Sequence, residues 1–192
     1  MTDKKFSLPK LKLSRINGQY CVELSGGHSL DYMPIREDVE KHKFSELLSN
    51  IEVLYSEDKL YELQIFDTQF LNFNGIVYNS LSLRLTANCF LENFYGYENP
   101  ILTKLYIQEC KELTFKNIHK YSLDNLDQIY VDNFNSNILG LMLLPKLKNV
   151  FSYSNSNNAL CKLIHDNLQN DRDVLEFQEQ LITNGYSHLA KL

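Results

Sequence analysis

The run Leu102-Thr103-Lys104-Leu105-Tyr106-Ile107-Gln108-Glu109-Cys110 decides how the chain folds. Its apolar residues fall at the first, fourth and sixth positions. The last two alternate with polar or amphipathic neighbours, as in a short strand buried on one side. One such triplet carries no weight, but the spacing recurs. Leu60, Leu63, Ile65 and Thr68 form one copy, followed by Phe70; Ser80, Leu83, Leu85 and Asn88 form the next, followed by Phe90. Beyond the quoted run come Leu126, Ile129, Val131 and Phe134, then Leu147, Val150, Ser152 and Asn155. The copies begin at 60, 80, 102, 126 and 147, so the intervals are 20, 22, 24 and 21.

Over residues 60–155, about half the chain, this pattern resembles the leucine-rich-repeat family, whose units run about 20–29 residues. The resemblance implies an α/β fold: a short solenoid of about five parallel repeat strands. It is specific for architecture and silent on function. The alternating apolar residues of each strand then stack on the copies above and below. A small polar residue at the ninth position turns the chain. Thr68, Cys110 and Phe134 depart from the Asn usual there. Phe70, Phe73, Phe90 and Phe94 are expected to pack as a second, convex layer.

The flanks read as caps, which a solenoid needs because its end repeats otherwise expose their core. Leu11, Leu13, Tyr20, Val22 and Leu24 surround Asn17-Gly18, a strong hairpin signal. Asp38 to Leu48 reads as an amphipathic helix, and Ile51 to Tyr55 as a strand that pairs with or precedes the first repeat. At the other end Leu160, Leu163, Ile164 and Leu168 have helical spacing. A second helix starts at Asp173 with Glu176 completing a capping box, and stops at Asn184-Gly185. It is expected to bury Val174, Phe177, Leu181 and Ile182, and residues 186–192 to add a last turn. This helical tail is similar to the ends of bacterial and phage repeat proteins. The expected organisation is an N-terminal hairpin and helix cap (1–58), the repeat region (59–156) and a C-terminal helical cap (157–192), folding as one unit.

Composition narrows the function. A chain that is 44% hydrophobic and 22% charged buries an ordinary core. A net charge of −5 disfavours nucleic acid, whose phosphates need a basic surface. The basic first fifteen residues (Lys4, Lys5, Lys10, Lys12, Arg15) read as a solvated terminus before a binding arm. The longest apolar run, Ile138 to Leu144, is too short to span a bilayer. Cys21, Cys89, Cys110 and Cys161 are far apart and read as reduced, mostly buried thiols. With no secretory segment and no glycosylation sequon, a cytoplasmic location is expected.

Chemistry-bearing motifs are lacking. No P-loop, dinucleotide fingerprint, zinc-protease motif or nucleophile elbow occurs. The five histidines, His28, His42, His119, His165 and His188, are scattered without metal-ligand spacing. Ser25-Gly26-Gly27-His28-Ser29 places a serine near a histidine, but turn chemistry explains the glycines and no acid is positioned. Glu57-Asp58 and the pair Asp171 and Asp173 are accounted for by a turn and by a helix start. We therefore expect no catalytic residue, no metal and no cofactor.

What remains is the face between the inward positions. Stacking the copies aligns Gln64, Arg84, Tyr106, Tyr130 and Phe151, flanked by Lys104, Gln128, Asp132 and Tyr153. Binding energy in protein interfaces concentrates in Tyr, Phe, Trp and Arg anchors rimmed by polar groups. Those nine residues are the expected partner-binding set on the concave face. Ordinary strand packing also favours Tyr and Phe on a sheet face. The expected function is a non-catalytic protein-binding module, such as an adaptor or a small inhibitor or immunity-type protein of bacterial or phage origin. The alternative is a structural subunit of a homo-oligomer or larger assembly. Oligomeric state, and whether the N-terminal segment covers the aromatic face, are left open by the residues alone.

Overall fold

The structure is a computed structural model that describes residues 10–16, 19–25, 62–66, 80–87 and 91–191. Seven strands form one sheet in chain order: β1 (Lys10–Ile16), β2 (Gln19–Ser25), β3 (Glu62–Phe66), β4 (Ser82–Thr86), β5 (Lys104–Gln108), β6 (Gln128–Val131) and β7 (Asn149–Ser152). β1 and β2 pair antiparallel as expected, with Ile16 opposite Gln19; Asn17 and Gly18 lie outside the described residues. From β2 onward every neighbour is parallel and follows in sequence. Parallel neighbours require a crossover between them, so the strands from β4 to β7 with their described returns form turns of a solenoid.

The apolar alternation explains the strands. Leu63, Leu83, Leu105, Ile129 and Val150 stand in one register column, and Ile65, Leu85, Ile107 and Val131 in a second. All nine are buried. The first-position residues Leu102, Leu126 and Leu147 are buried too. Their turns repeat one hydrogen bond: Thr103 N donates to Leu81 O at 3.0 Å, Asp127 N to Thr103 O at 3.0 Å and Lys148 N to Asp127 O at 2.9 Å. Ser80, the polar residue at that position, is also fully buried and is satisfied instead by polar contacts. Its hydroxyl donates to Ser82 O at 2.7 Å, and its carbonyl accepts from Asn99 Nδ2 at 2.9 Å.

On the return side the expected aromatic layer is present where the chain is described. Phe94 is fully buried, with ring centroids 6.4 Å from both Tyr97 and Tyr121, and Phe115 lies 6.4 Å from Phe134. At the ninth positions Cys110 and Phe134 are buried and Asn155 is exposed. Two turns leave their strands through left-handed residues, Ala87 (φ 55°) and Glu109 (φ 56°).

The C-terminal cap has two helices, α1 (Asn158–Gln169) and α2 (Val174–Thr183). α1 closes the far edge of the sheet: its Leu160, Ile164 and Leu168 are buried, and His165 Nδ1 and Gln169 Nε2 reach Lys148 O at 3.3 and 3.4 Å. Asp173 caps α2 by accepting from Leu175 N at 2.8 Å and Glu176 N at 3.0 Å. Gly185, at φ 85°, follows the helix end. Residues 187–189 make a 3-10 turn whose Leu189 carbonyl accepts from Ile138 N at 3.1 Å, tying the tail to the last crossover. Glu176 does not complete the expected capping box: its Oε1 accepts from Gln180 Nε2 at 3.0 Å. A burial expectation also fails. Ile182 is 53% exposed, because α2 packs through Phe177 and Leu181 while Leu175 and Ile182 face outward.

The expected helix Asp38–Leu48 and strand Ile51–Tyr55, with Thr68, Phe70, Phe73, Asn88 and Phe90, lie outside the described residues. Both edges of β3 are occupied, by β2 and β4. No helix among the described residues is long and apolar enough to cross a membrane.

Candidate functional site

The solvent face of the sheet is built by the same alternation that makes the core. Gln64 pairs in register with Arg84, Arg84 with Tyr106, Tyr106 with Tyr130 and Tyr130 with Phe151. The column read from the repeat is thus a continuous row of side chains. Adjacent strands lie about 4.7–4.9 Å apart, and the ring spacings follow that distance. Tyr106 and Tyr130 stack at 4.6 Å with planes 13° apart, and Tyr130 and Phe151 at 4.8 Å with planes 22° apart. Free aromatic pairs prefer offset or edge-to-face geometry, so the sheet imposes this stack.

Arg84 closes one end. Its Cζ lies 4.3 Å from the centre of the Tyr106 ring, a cation–π contact that continues the column. Glu62 sets its position, accepting from Arg84 Nε at 3.4 Å, Gln64 Nε2 at 2.5 Å and Ser82 Oγ at 3.0 Å. Partial burial works to lower the Arg84 pKa, but the Glu62 carboxylate and the Tyr153 hydroxyl outweigh it and leave the value raised. Arg84 therefore stays a cation. Its side chain is 35% exposed and that of Glu62 only 11%, so the pair is half sheltered from solvent.

Tyr153, one residue beyond β7, lies against the column with its ring 6.5 Å from Tyr130. Burial raises its hydroxyl's pKa, against the opposing pull of Arg84. Phe151 and Tyr153 are 42% and 52% exposed, large values for aromatic rings. Tyr106 and Tyr130 are half-buried by one another. Stacking uses the ring faces along the row, so what reaches solvent is largely ring edge.

The flanking residues divide. Gln128 accepts from Tyr130 Oη at 3.1 Å and orients that ring. Lys104 opens β5 between Ser82 and Gln128 and is half-buried, outside the aromatic row. Asp132 commits one carboxylate oxygen to Glu109 N at 2.7 Å, holding the left-handed turn of the preceding repeat. The structure therefore brings Arg84, Tyr106, Tyr130, Phe151 and Tyr153 into one cluster, with Gln64 and Gln128 beside it. Glu62 was not among the expected site residues. Its signal lay in the repeat period, since position 62 is diagonal to position 84 across one strand gap.

Ser25 ends β2, and residues 26–29 of the serine–histidine segment lie outside the described residues. No group of three or more metal-ligating side chains occurs among the described residues. Cys110 is buried, and the half-buried Cys161 thiol has its pKa raised by burial. Comparison with known proteins finds no matching family model, no matching curated protein and no matching solved structure.

Proposed function

We propose that the chain is a short leucine-rich-repeat protein of bacterial or phage origin that acts in the cytoplasm without catalysis. It docks one protein partner on the solvent face of its sheet, as an adaptor or a small inhibitor or immunity-type protein. The row Arg84–Tyr106–Tyr130–Phe151 carries this reading. It sets a sheltered cation and three in-line rings on a rigid sheet, with amides at its margin. Side chains held in place before binding lose little rotamer entropy on association, and Tyr, Phe and Arg are the residue types that anchor interfaces. Because ring faces are spent on each other, the partner meets ring edges and the two most exposed aromatics, Phe151 and Tyr153.

The test begins with affinity capture from the native host and identification by mass spectrometry. The captured protein is then titrated against wild type and a Tyr106→Ala, Tyr130→Ala double variant. Affinity is expected to fall by about 2–4 kcal/mol, the range of interface hot spots, while the denaturation midpoint changes little. Unchanged affinity in a folded double variant sinks the proposal.

A second reading has its own observation. Leu175 and Ile182 on α2, 67% and 53% exposed, and Leu143, 47% exposed, leave apolar side chains outside at the capped end. A structural subunit of a larger assembly would cover such residues. Light scattering across a concentration series decides it: a strict monomer that persists at high concentration removes this reading.

A further inference from the structure

We propose that a groove along the edge where β5, β6 and β7 begin binds a phosphate monoester with an apolar organic group. The groove has a volume of about 740 Å³ and is lined from three successive turns and the α1–α2 junction. Its charged residues are Lys104, Lys146, Lys148 and Arg172, against the single carboxylate of Asp127. Four cations less one anion leave three positive charges there, in a chain of net charge −5. Like charges gathered around one concavity repel, and a dianion relieves that repulsion.

The framework is fixed by bonds that climb from repeat to repeat. Asn125 Nδ2 donates to Pro100 O at 2.5 Å, and Lys146 Nζ donates to Asn125 Oδ1 at 2.5 Å. Lys148 Nζ lies 3.3 Å from Asp127 Oδ1, yet that oxygen receives no hydrogen bond, so the contact is an ion pair only. An ammonium carries three donors, which leaves both lysines N–H groups for a ligand. Arg172 is different. It stands at φ 55° and its guanidinium donates to the carbonyls of Leu144, Leu147 and Leu168. It closes the groove and supplies positive field without offering a free fork.

That division selects the ligand. A guanidinium fork reads carboxylate and phosphate alike, but here the free donors are ammoniums, point charges that a doubly charged phosphate head neutralises better than a singly charged carboxylate. Ile101 and Pro145 also line the groove, with the aliphatic stems of the lysines. They give an apolar bed for the group that the phosphate carries. Lys146 and Lys148 lie outside the aromatic row, so this site stands or falls separately from the partner face.

The experiment is an amide chemical-shift titration of the full chain at low ionic strength with phenyl phosphate and, in parallel, inorganic phosphate. Saturable shifts confined to the strand-entry turns, with phenyl phosphate bound at least about fivefold tighter, are expected. Neutralising both lysines (Lys146→Gln with Lys148→Gln) should weaken binding about tenfold or more, a change of about 1.4 kcal/mol per decade. Both side chains are exposed and their contacts lie at the surface, so the denaturation midpoint should move only slightly. Absence of saturable shifts, shifts located elsewhere, or equal affinity in the double variant overturns the proposal. Equal affinity for inorganic phosphate overturns the monoester assignment. Co-sedimentation with phosphatidic-acid vesicles, lost in the double variant, assigns the ester to a lipid headgroup. Phenyl phosphate binding without vesicle binding assigns it to a soluble molecule.

Discussion

Gly140, in the 3-10 turn Leu139–Leu143, is buried where the last crossover passes the one before it. A Cβ added there would stand 2.9 Å from the Lys116 carbonyl oxygen and closer still to that of Phe115. Both obstacles are backbone, which cannot rotate away. Gly140→Ala should therefore cost about 1–3 kcal/mol, read as a lower urea midpoint with little change in slope. Tyr97 makes a second prediction at this scale. It is fully buried, and its hydroxyl accepts from Asn99 Nδ2 at 2.9 Å. Burial raises its pKa above the ordinary 10.0, against the smaller opposing effect of Asn99 and Ser80. A raised folded value means folding favours the protonated form. The contribution is complete below the unfolded pKa and is lost as pH climbs through the folded one. Stability should fall above about pH 10, and Tyr97→Phe should flatten that part of the profile in denaturant titrations at stepped pH. Neither role was legible beforehand. Gly140 lay inside an apolar run, and Tyr97 between repeats, where no periodic template constrains a side chain.

Elements were more legible than contacts. The strands β3 to β7 fall on the copies read from the sequence, because a two-residue alternation can bury one face only in one register. The antiparallel pairing of β1 with β2 and both C-terminal helices were legible for local reasons, since Asn-Gly and an Asp N-cap act over a few residues. The Asp173 cap can be tested. Asp173→Ala leaves Leu175 N and Glu176 N without their acceptor and should cost about 0.5–2 kcal/mol, measured by thermal melting. Ile182 was misread for a simple reason. Helical spacing gives a stripe, but its width is set by the surface it meets, and α2 meets the core through Phe177 and Leu181, with Val174 partly buried beside them. Arg172, between Asp171 and Asp173, carries no motif or periodic signal in the sequence. Its role exists only because α1 returns its end to the carbonyls of Leu144 and Leu147.

At the scale of the whole molecule, the solenoid depends on its ends. Each turn contacts only its neighbours, so stability is a sum of units and interfaces, and a missing cap exposes the last one. A chain ending at Asn157 would uncover Val150, Leu147 and the outer edge of β7, all now shielded from solvent by α1 or its junction with α2. It should lose cooperative thermal unfolding and bind more of a hydrophobic dye than the full chain does; a sharp two-state melt would show the cap to be dispensable. The repeat period, the two buried columns and the order of the outward row Gln64, Arg84, Tyr106, Tyr130, Phe151 were determined by the sequence itself. Each follows from periodicity alone, and periodicity is a linear property of the chain. Only the tertiary structure decided that the rings stack at strand spacing, that Glu62 holds Arg84 over Tyr106, and that four cations line one groove. Those depend on distances between residues of different turns, set by crossovers whose lengths and packing follow no repeat.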